Sequence, residues 1–228
     1  MFKRILAIIG ILALIIGGWW LVAGPETVAR ISYMTYRTPY YRYTVQLATY
    51  AQEGIRVSIE PERPGKDSSE FADTYLQASR ERAQQWIADH RTGLMDVMVL
   101  FSRPLTLEEA NRVLRAANAQ VFESGVVGYE DGIPFASYSK EKGPFLTASL
   151  QEHAEMIGDS MSVDVRGYLA VRAWVNRQGL AVLLQHEDVQ VVDTTPQDVR
   201  DRLAQDRHWR DKPIDSLAIE MPVWAGEW

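Results

Sequence analysis

An unbroken apolar run near the N-terminus, residues 5–22, constrains this chain more than any other feature of its sequence. The run follows two basic residues and contains the pair Trp19 and Trp20 close to its end. At 1.5 Å of rise per residue, about 18 helical residues extend about 27 Å, which is close to the thickness of one hydrocarbon core. We therefore expect a transmembrane helix within residues 1–24.

The charges on either side of the apolar run predict its orientation. Lys3 and Arg4 precede it and Glu26 follows it, so the positive-inside rule predicts a cytoplasmic N-terminus and an extracytoplasmic C-terminal domain. The alternative is a cleaved secretory signal, for which residues 22–24 are a candidate cleavage site. Because the run is longer than the apolar core of about 7 to 15 residues in a signal peptide, the sequence favours an uncleaved single-pass anchor in the cell membrane.

The composition of the chain excludes several classes of function. The 228 residues include no cysteine, which excludes disulfides, thiolate zinc sites and cysteine nucleophiles. The 24 basic and 30 acidic residues form no basic cluster beyond the N-terminus, so nucleic-acid binding has no electrostatic basis. Glycine-rich motifs for dinucleotides or phosphates are also absent from the sequence, and no cofactor is predicted.

Residues 25–66 are predicted to form a juxtamembrane segment that ends in a linker. Tyrosines and arginines crowd its first half, and both side chains combine an apolar body with a polar tip that suits the lipid headgroup layer. Thr38 and Pro39 are typical of a helix start and Gly54 of a helix end, so a helix is expected between them. The residues predicted to lie at the membrane interface are Trp19, Trp20, Tyr33, Tyr36 and Arg37.

The rest of the chain alternates between helix and strand patterns. Residues 67–93 predict a long amphipathic helix, whose apolar stripe either packs on the domain or pairs with a second copy to form a homodimer. Residues 94–205 contain two strand-helix-strand units, separated by an insertion at 129–165, and residues 206–228 read as a tail. Two such units predict an α+β protein with a ferredoxin-like antiparallel sheet, both unit helices on one face and extra helices elsewhere.

Local signals mark where the helices of these units begin. Thr106 followed by Glu109 is a capping box, in which each residue satisfies a backbone N–H group near the other. Asn176 is a typical N-cap residue. Thr195 followed by Pro196 predicts the start of a last helix.

Two runs of the sequence share the pattern of a known family. One is residues 167–193, with Gly-Tyr-Leu-Ala-Val, then a helix, and then Asp-Val-Gln-Val-Val; the other is residues 97–101 with the helix from Thr106. Together they resemble subtilisin-type propeptide and inhibitor domains, which are ferredoxin-like and fold beside, or inhibit, serine proteases. The resemblance implies this fold and, as a second functional hypothesis, modulation of a serine protease. In this chain an insertion separates the halves, and a helix pattern follows Asp193 where the family has an extended inhibitory tail.

A third functional hypothesis is an envelope hydrolase. Among four histidines, His153 lies beside two glutamates, but the sequence has no His-Glu-x-x-His motif. Ser160 ends a Gly-Asp-Ser triplet like that of some esterases, yet it follows a helix pattern instead of the strand-to-helix elbow that a nucleophilic serine needs. We therefore predict no catalytic residue and no metal site.

The faces of the central strands indicate a binding surface instead. Alternate residues of a strand point to opposite faces, and both faces of these strands carry apolar residues. The face away from the helices therefore needs a cover, either another part of the chain or a partner protein. The candidate partner-binding residues on that face are Tyr168, Arg172, Trp174, Met98 and Leu100. The sequence thus favours a membrane-anchored, extracytoplasmic protein-interaction or sensing domain that is not an enzyme.

Overall fold

The computed structural model of the chain describes residues 32–39, 41–49, 53–61, 68–130, 133–141, 143–147, 152, 163–212 and 214–219. Within these ranges the chain forms nine strands and four helices arranged around two sheets, so it is an α+β protein. The predicted anchor, with Trp19 and Trp20, lies outside the described residues. Among the helices that are described, none combines the length and apolar character needed to cross a membrane.

The elements follow one another in a mixed order of strands and helices. The strands are β1 (Ser32–Arg37), β2 (Tyr41–Thr49), β3 (Glu53–Pro61), β4 (Met95–Leu105), β5 (Gln120–Glu130), β6 (Ile133–Lys140), β7 (Val163–Val175), β8 (Val189–Asp193) and β9 (Ile214–Ile219). The helices are α1 (Ser68–Ala88), α2 (Leu107–Ala116), α3 (Arg177–Gln185) and α4 (Thr195–Gln205).

The first sheet has the strand order β1-β2-β3-β9. The helix predicted after Thr38 is wrong, because β2 occupies that part of the chain. Its first three strands form an antiparallel meander, and β9 pairs in parallel with β3. Thr38 caps the β1–β2 turn: its side-chain oxygen accepts a hydrogen bond from the backbone N–H of Tyr41 at 3.0 Å. Tyrosine and arginine alternate along β2, with Tyr41 and Tyr43 buried and Arg42 exposed. This period of two is the signature of a strand, and it overrides the helix-start signal.

The second sheet contains both predicted strand-helix-strand units. Its strand order is β6-β5-β7-β4-β8, and all neighbouring strands are antiparallel. One unit is β4-α2-β5 and the other is β7-α3-β8. Both predicted helix caps are confirmed: Thr106 and Glu109 form the capping box of α2, and the Asn176 side chain accepts from the N–H of Gly179 at 2.8 Å. The β5–β6 hairpin occupies the first part of the predicted insertion and adds an edge strand.

One face of the second sheet holds the larger hydrophobic core. Helices α2 and α3 cover this face, on which Val97 and Val99 of β4 are fully buried. Helix α1 contributes Ala83 and Trp86 to the same core, so the apolar stripe predicted for the long helix packs on the chain itself. This is the first of the two arrangements that the sequence allowed for that stripe.

Helix α4 joins the two sheets. Its Val199 and Leu203 are buried against the tyrosine-rich face of the first sheet. Its other side faces the second sheet, where Gln197 accepts a hydrogen bond from the backbone N–H of Asp96 in β4 at 3.0 Å. Helix α4 therefore covers the part around Asp96 of the face opposite α2 and α3, and the candidate site lies at this contact.

Candidate functional site

A buried aspartate lies at the centre of the contact between the second sheet and α4. Asp96 is the second residue of β4, and its side chain is fully shielded from solvent. Because alternate strand residues share a face, Asp96 points away from the core helices, as Met98 and Leu100 do. An isolated carboxylate at such a position is very costly, so its partners decide whether the strand tolerates it.

Two guanidinium groups neutralise Asp96. Arg172 of β7 donates from Nε to Oδ1 at 3.0 Å and from Nη2 to Oδ2 at 2.7 Å, and Arg200 of α4 donates from Nε to Oδ2 at 2.6 Å. A second carboxylate, that of Glu123 in β5, lies 3.7 Å from Nη1 of Arg172. Burial raises the pKa of Glu123, and the nearby Arg172 opposes that shift. The cluster thus combines two cations with two carboxyl groups.

The cluster also holds the C-terminal strand in place. Arg172 donates from Nη1 to the backbone carbonyl of Leu217 in β9, and its side chain is only 6% exposed. β9 belongs to the first sheet and Arg172 to the second. One buried side chain therefore bonds to both sheets. Charge-assisted hydrogen bonds of this kind are about twice as strong as neutral ones.

Two aromatic rings stack with the guanidinium groups. Arg172 lies over the ring of Phe122 and Arg200 over the ring of Trp174, each 5.0 Å from the ring centre. The two rings are 5.7 Å apart. Phe122 has no partner in the β5–β7 register, which passes from Val121 to Glu123. This bulge changes the alternation of β5 and accounts for the position of Phe122 beside the cluster.

The residues predicted to bind a partner are brought together, but mostly inside the molecule. Arg172, Met98 and Leu100 are buried, at 5%, 4% and 1% exposure, and Trp174 is half-buried. Arg200 of α4 and Leu217 of β9 lie against the Asp96–Arg172 pair, and Leu76 of α1 packs on the cluster that contains Leu100. This face is therefore not an open docking surface.

Tyr168 does not lie on the face of the second sheet that was predicted for it. It belongs to the core under α2 and α3, on the opposite face from Arg172. The registers on both sides of β7 pass from Tyr168 to Ala170 and leave Leu169 unpaired. Leu169 is therefore a bulge, which shifts the alternation by one residue.

A second buried carboxylate fixes α1 at the junction of β8 and α4. Asp193 accepts hydrogen bonds from the Tyr75 hydroxyl at 2.5 Å, from the Ser79 hydroxyl at 3.0 Å and from the N–H of Thr195 at 2.9 Å. Burial first, and the negative charge of Asp193 second, raise the pKa of the Tyr75 phenol well above its usual value. The guanidinium of Arg82 lies 3.8 Å from the same carboxylate. Side chains from the middle of α1 thus attach it to the junction of β8 and α4.

A cleft of about 170 Å³ opens between the second half of α1 and the first turns of α4. Trp86 and Met95 supply its apolar lining. Its charged lining consists of Asp89, Asp198, Asp201, Arg82 and Arg91. The carboxylates exceed the guanidinium groups by one, which favours a cationic ligand group.

Gln197 connects this cleft with the buried cluster. Its Nε2 donates to Oδ1 of Asp201 in the cleft at 2.7 Å, while its Oε1 accepts from the backbone N–H of Asp96 at 3.0 Å. Asp201 also lies 3.2 Å from Nη1 of Arg91, at the far end of α1. A group that bonds to Asp201 therefore competes with contacts that lead directly to the cluster.

The described residues do not include the two side chains that were considered for catalysis. His153 and Ser160 lie outside the described residues. His90 is exposed at the end of α1, and Nδ1 of His186 accepts a hydrogen bond from the N–H of Asp188 at 3.2 Å. Across the described parts of the chain, no three metal-ligating side chains come together.

Two of the residues predicted at the membrane interface, Tyr36 and Arg37, lie on opposite faces of β1. Tyr36 is half-buried and stacks on Tyr43 with ring centres 4.9 Å apart. Its hydroxyl accepts from the indole N–H of Trp209 at 2.9 Å and donates to Asp206 at 3.1 Å. Tyr36 therefore packs against Tyr43 and Trp209, because its strand turns that face toward the core. Arg37, on the opposite face, is exposed.

Comparison of the chain with protein-family models, with curated proteins and with solved structures finds no match. Its function must therefore follow from the geometry of its own residues.

Proposed function

We propose that the chain is a single-pass, membrane-anchored extracytoplasmic domain that binds a protein partner in the cleft between α1 and α4, without catalysing a reaction. The observation that carries the proposal is that Gln197 donates a hydrogen bond to Asp201 and accepts one from the backbone N–H of Asp96. Binding at Asp201 competes with the first bond and so disturbs the second. Occupancy of the cleft is thereby transmitted to the cluster that holds α4 and β9 against the second sheet.

The size and charge of the cleft support a side chain as its ligand. Pockets for small molecules usually measure about 300 to 1,000 Å³, whereas this cleft measures about 170 Å³. A lysine or arginine of the partner would place its apolar stem against Trp86 and its charge beside Asp89 and Asp201. The partner segment is therefore expected to be basic.

The anchor is supported by the apolar run at residues 5–22 and by the basic residues before it. The first described strand begins at Ser32, so the described domain would follow the membrane closely. Permanent attachment suits a domain whose partner is itself at the membrane.

A ferredoxin-like arrangement is supported by the order of four strands in the second sheet. The order β5-β7-β4-β8, with β4-α2-β5 and β7-α3-β8 as the two units, is that of a split strand-helix-strand repeat. In this interpretation β6 is an added edge strand. The first sheet and α4 then form a cover over one face.

Site-specific photocrosslinking tests the proposed cleft. A photoreactive residue at Gln85, which lines the cleft, is expected to capture a partner in native membranes. Gln77, also exposed on α1 but not among the cleft residues, is the matched control position. The double variant Asp89→Asn/Asp201→Asn is expected to abolish capture at Gln85, while Asp211→Asn, an exposed carboxylate elsewhere, should preserve it. The proposal that the partner binds in the cleft would be refuted if Gln85 and Gln77 gave the same crosslinked products, or if the double variant were captured as fully as the unchanged chain.

A second candidate function is modulation of a serine protease. The strand order that supports the ferredoxin-like arrangement also supports this idea, through the resemblance to propeptide and inhibitor domains. Against it, α4 follows β8 directly where those domains have an extended tail. The chain in equimolar amount should inhibit at least one subtilisin-type protease; no inhibition across several such enzymes would exclude this candidate.

A further inference from the structure

The outer face of the first sheet is basic, although the chain as a whole is acidic. The formal net charge of the chain is −6. On this face Arg37, Arg42 and Arg56 are exposed, and Glu60 is the acidic residue described beside them. The opposite face of the same strands is the buried, tyrosine-rich core. The positive charge therefore points away from the body of the domain.

The part of this face next to the β1–β2 turn is arranged as a site for a phosphate group. A shallow depression of about 530 Å³ is lined by Arg37, Arg42, Thr35, Thr44 and Glu60. The two threonine hydroxyls are 3.2 Å apart, and Arg37 lies directly opposite Arg42 in the strand register. Glu60 accepts from Nε of Arg42 at 2.5 Å and partly offsets the charge. Like charges placed opposite each other destabilise a strand pair, whereas arginine and hydroxyl donors together suit phosphate oxygens.

The position of this face along the chain identifies the source of the phosphate. The apolar run ends at residue 22 and β1 begins at Ser32, so nine residues separate them. Nine residues extend at most about 30 Å. With residues 5–22 in a bilayer, Ser32 stays within that distance of the lipid headgroups. Arg37, five residues further along β1 at about 3.4 Å per residue, can lie about 17 Å beyond Ser32.

We infer that the outer face of the first sheet docks on anionic phospholipid headgroups of the membrane that holds the anchor. Arg37, Arg42 and Arg56 supply the attraction, and the threonine hydroxyls donate to headgroup phosphate oxygens. The inference rests on the proposed anchor. Docking would fix the domain relative to the bilayer and leave the cleft between α1 and α4, on other elements, open to a partner.

The absence of cysteine makes a clean labelling experiment available. Ser58→Cys, on the outer face opposite Thr44, is labelled with a fluorophore in the otherwise cysteine-free full-length chain. Ala116→Cys on α2, an exposed position far along the chain, is the control site. The chain is placed in nanodiscs of zwitterionic lipid, or of zwitterionic lipid with about 30% anionic phospholipid, each with a headgroup-labelled quencher lipid.

Docking predicts stronger quenching at position 58 in anionic discs, reversed by high salt, and no difference at position 116. Each arginine near an anionic surface changes the docked-to-undocked ratio about fivefold, so Arg37→Gln/Arg56→Gln should lower that ratio about 30-fold. Arg112→Gln/Arg115→Gln removes the same charge from α2 and should leave quenching unchanged.

The possible results distinguish a failure of the docking inference from a failure of the proposed anchor. If alkaline carbonate extracts the chain from membranes, the anchor fails, and the docking inference fails with it. If the chain resists extraction but position 58 is quenched equally in both kinds of disc, the proposed anchor stands and the docking inference is wrong. If inorganic phosphate alone changes the position 58 signal in zwitterionic discs as strongly as anionic lipid does, the face is a site for soluble phosphate, and docking on lipid is overturned.

Discussion

Replacing Asp96 by alanine is expected to destabilise the fold by leaving a buried arginine without its main partner. Asp96 is fully buried and accepts three charge-assisted hydrogen bonds from Arg172 and Arg200. The side chain of Arg200 is 25% exposed and can turn toward water, but that of Arg172 is 6% exposed and cannot. The cost of the substitution therefore falls chiefly on Arg172.

The size of the loss in stability depends on the contacts that Arg172 keeps after the substitution. Breaking a buried ion pair by removing one partner costs about 3 to 5 kcal/mol. Arg172 keeps its bond to the carbonyl of Leu217 and the carboxylate of Glu123 at 3.7 Å, so we expect the lower end, about 3 kcal/mol. For a domain of this size each kcal/mol lowers the melting temperature by about 2 to 4 °C, which predicts a decrease of about 6 to 12 °C.

Thermal unfolding of the full-length chain in detergent, followed by near-ultraviolet circular dichroism, measures this decrease. The control is Asp201→Ala, which breaks an ion pair with Arg91. The side chain of Asp201 is 38% exposed and that of Arg91 is 52% exposed. The control substitution should therefore lower the free energy of unfolding by less than about 1 kcal/mol. Asp96→Ala/Arg172→Met removes the unpaired charge as well and should be more stable than Asp96→Ala alone. The reasoning is refuted if the double variant is less stable than Asp96→Ala, or if both single variants lose the same stability.

Three further changes test other parts of the fold. Leu203→Ala, at a side chain 2% exposed between α4 and the first sheet, should cost about 2 to 5 kcal/mol in urea unfolding. Hydrogen bonds from Arg103 and then Thr106 lower the pKa of Glu109 to about 2. The stability that Glu109 contributes above pH of about 4.3 should therefore decline as pH falls toward 2, and acid unfolding of Glu109→Gln should lack this decline. Burial raises the pKa of Tyr75, so stability should fall as pH rises above about 10. Tyrosinate absorbance should show one late-titrating phenol fewer in Tyr75→Phe.

Features governed by near neighbours in the chain were predictable. The capping box of α2 and the Asn176 cap of α3 each need two residues three positions apart, and both are present as expected. The long helix α1 and the two strand-helix-strand units follow from periods of apolar residues. The helix expected after Thr38 failed because its start signal also suits a turn, and the alternation of tyrosine with arginine was the stronger evidence.

The candidate site was predictable only in part. Strand alternation correctly placed Met98 and Leu100 on one face of β4, and the structure shows Asp96 on the same face. The same rule failed for Tyr168, because the unpaired Leu169 shifts the alternation and nothing in the local sequence marks a bulge there. Arg200 was missed because on α4 it reads as an ordinary exposed charge.

The sequence by itself determined the local elements, the balance of charge and the apolar run at residues 5–22, because each depends on residues close together in the chain. The tertiary structure decided what covers the second sheet. The bonds from Arg172 to Asp96 and to Leu217 span 76 and 45 residues, and that from Arg200 to Asp96 spans 104. Contacts at such separations depend on strand order and bulges, which no local pattern specifies. They decided that this face is covered by the chain itself, which was one of the two alternatives that the sequence left open.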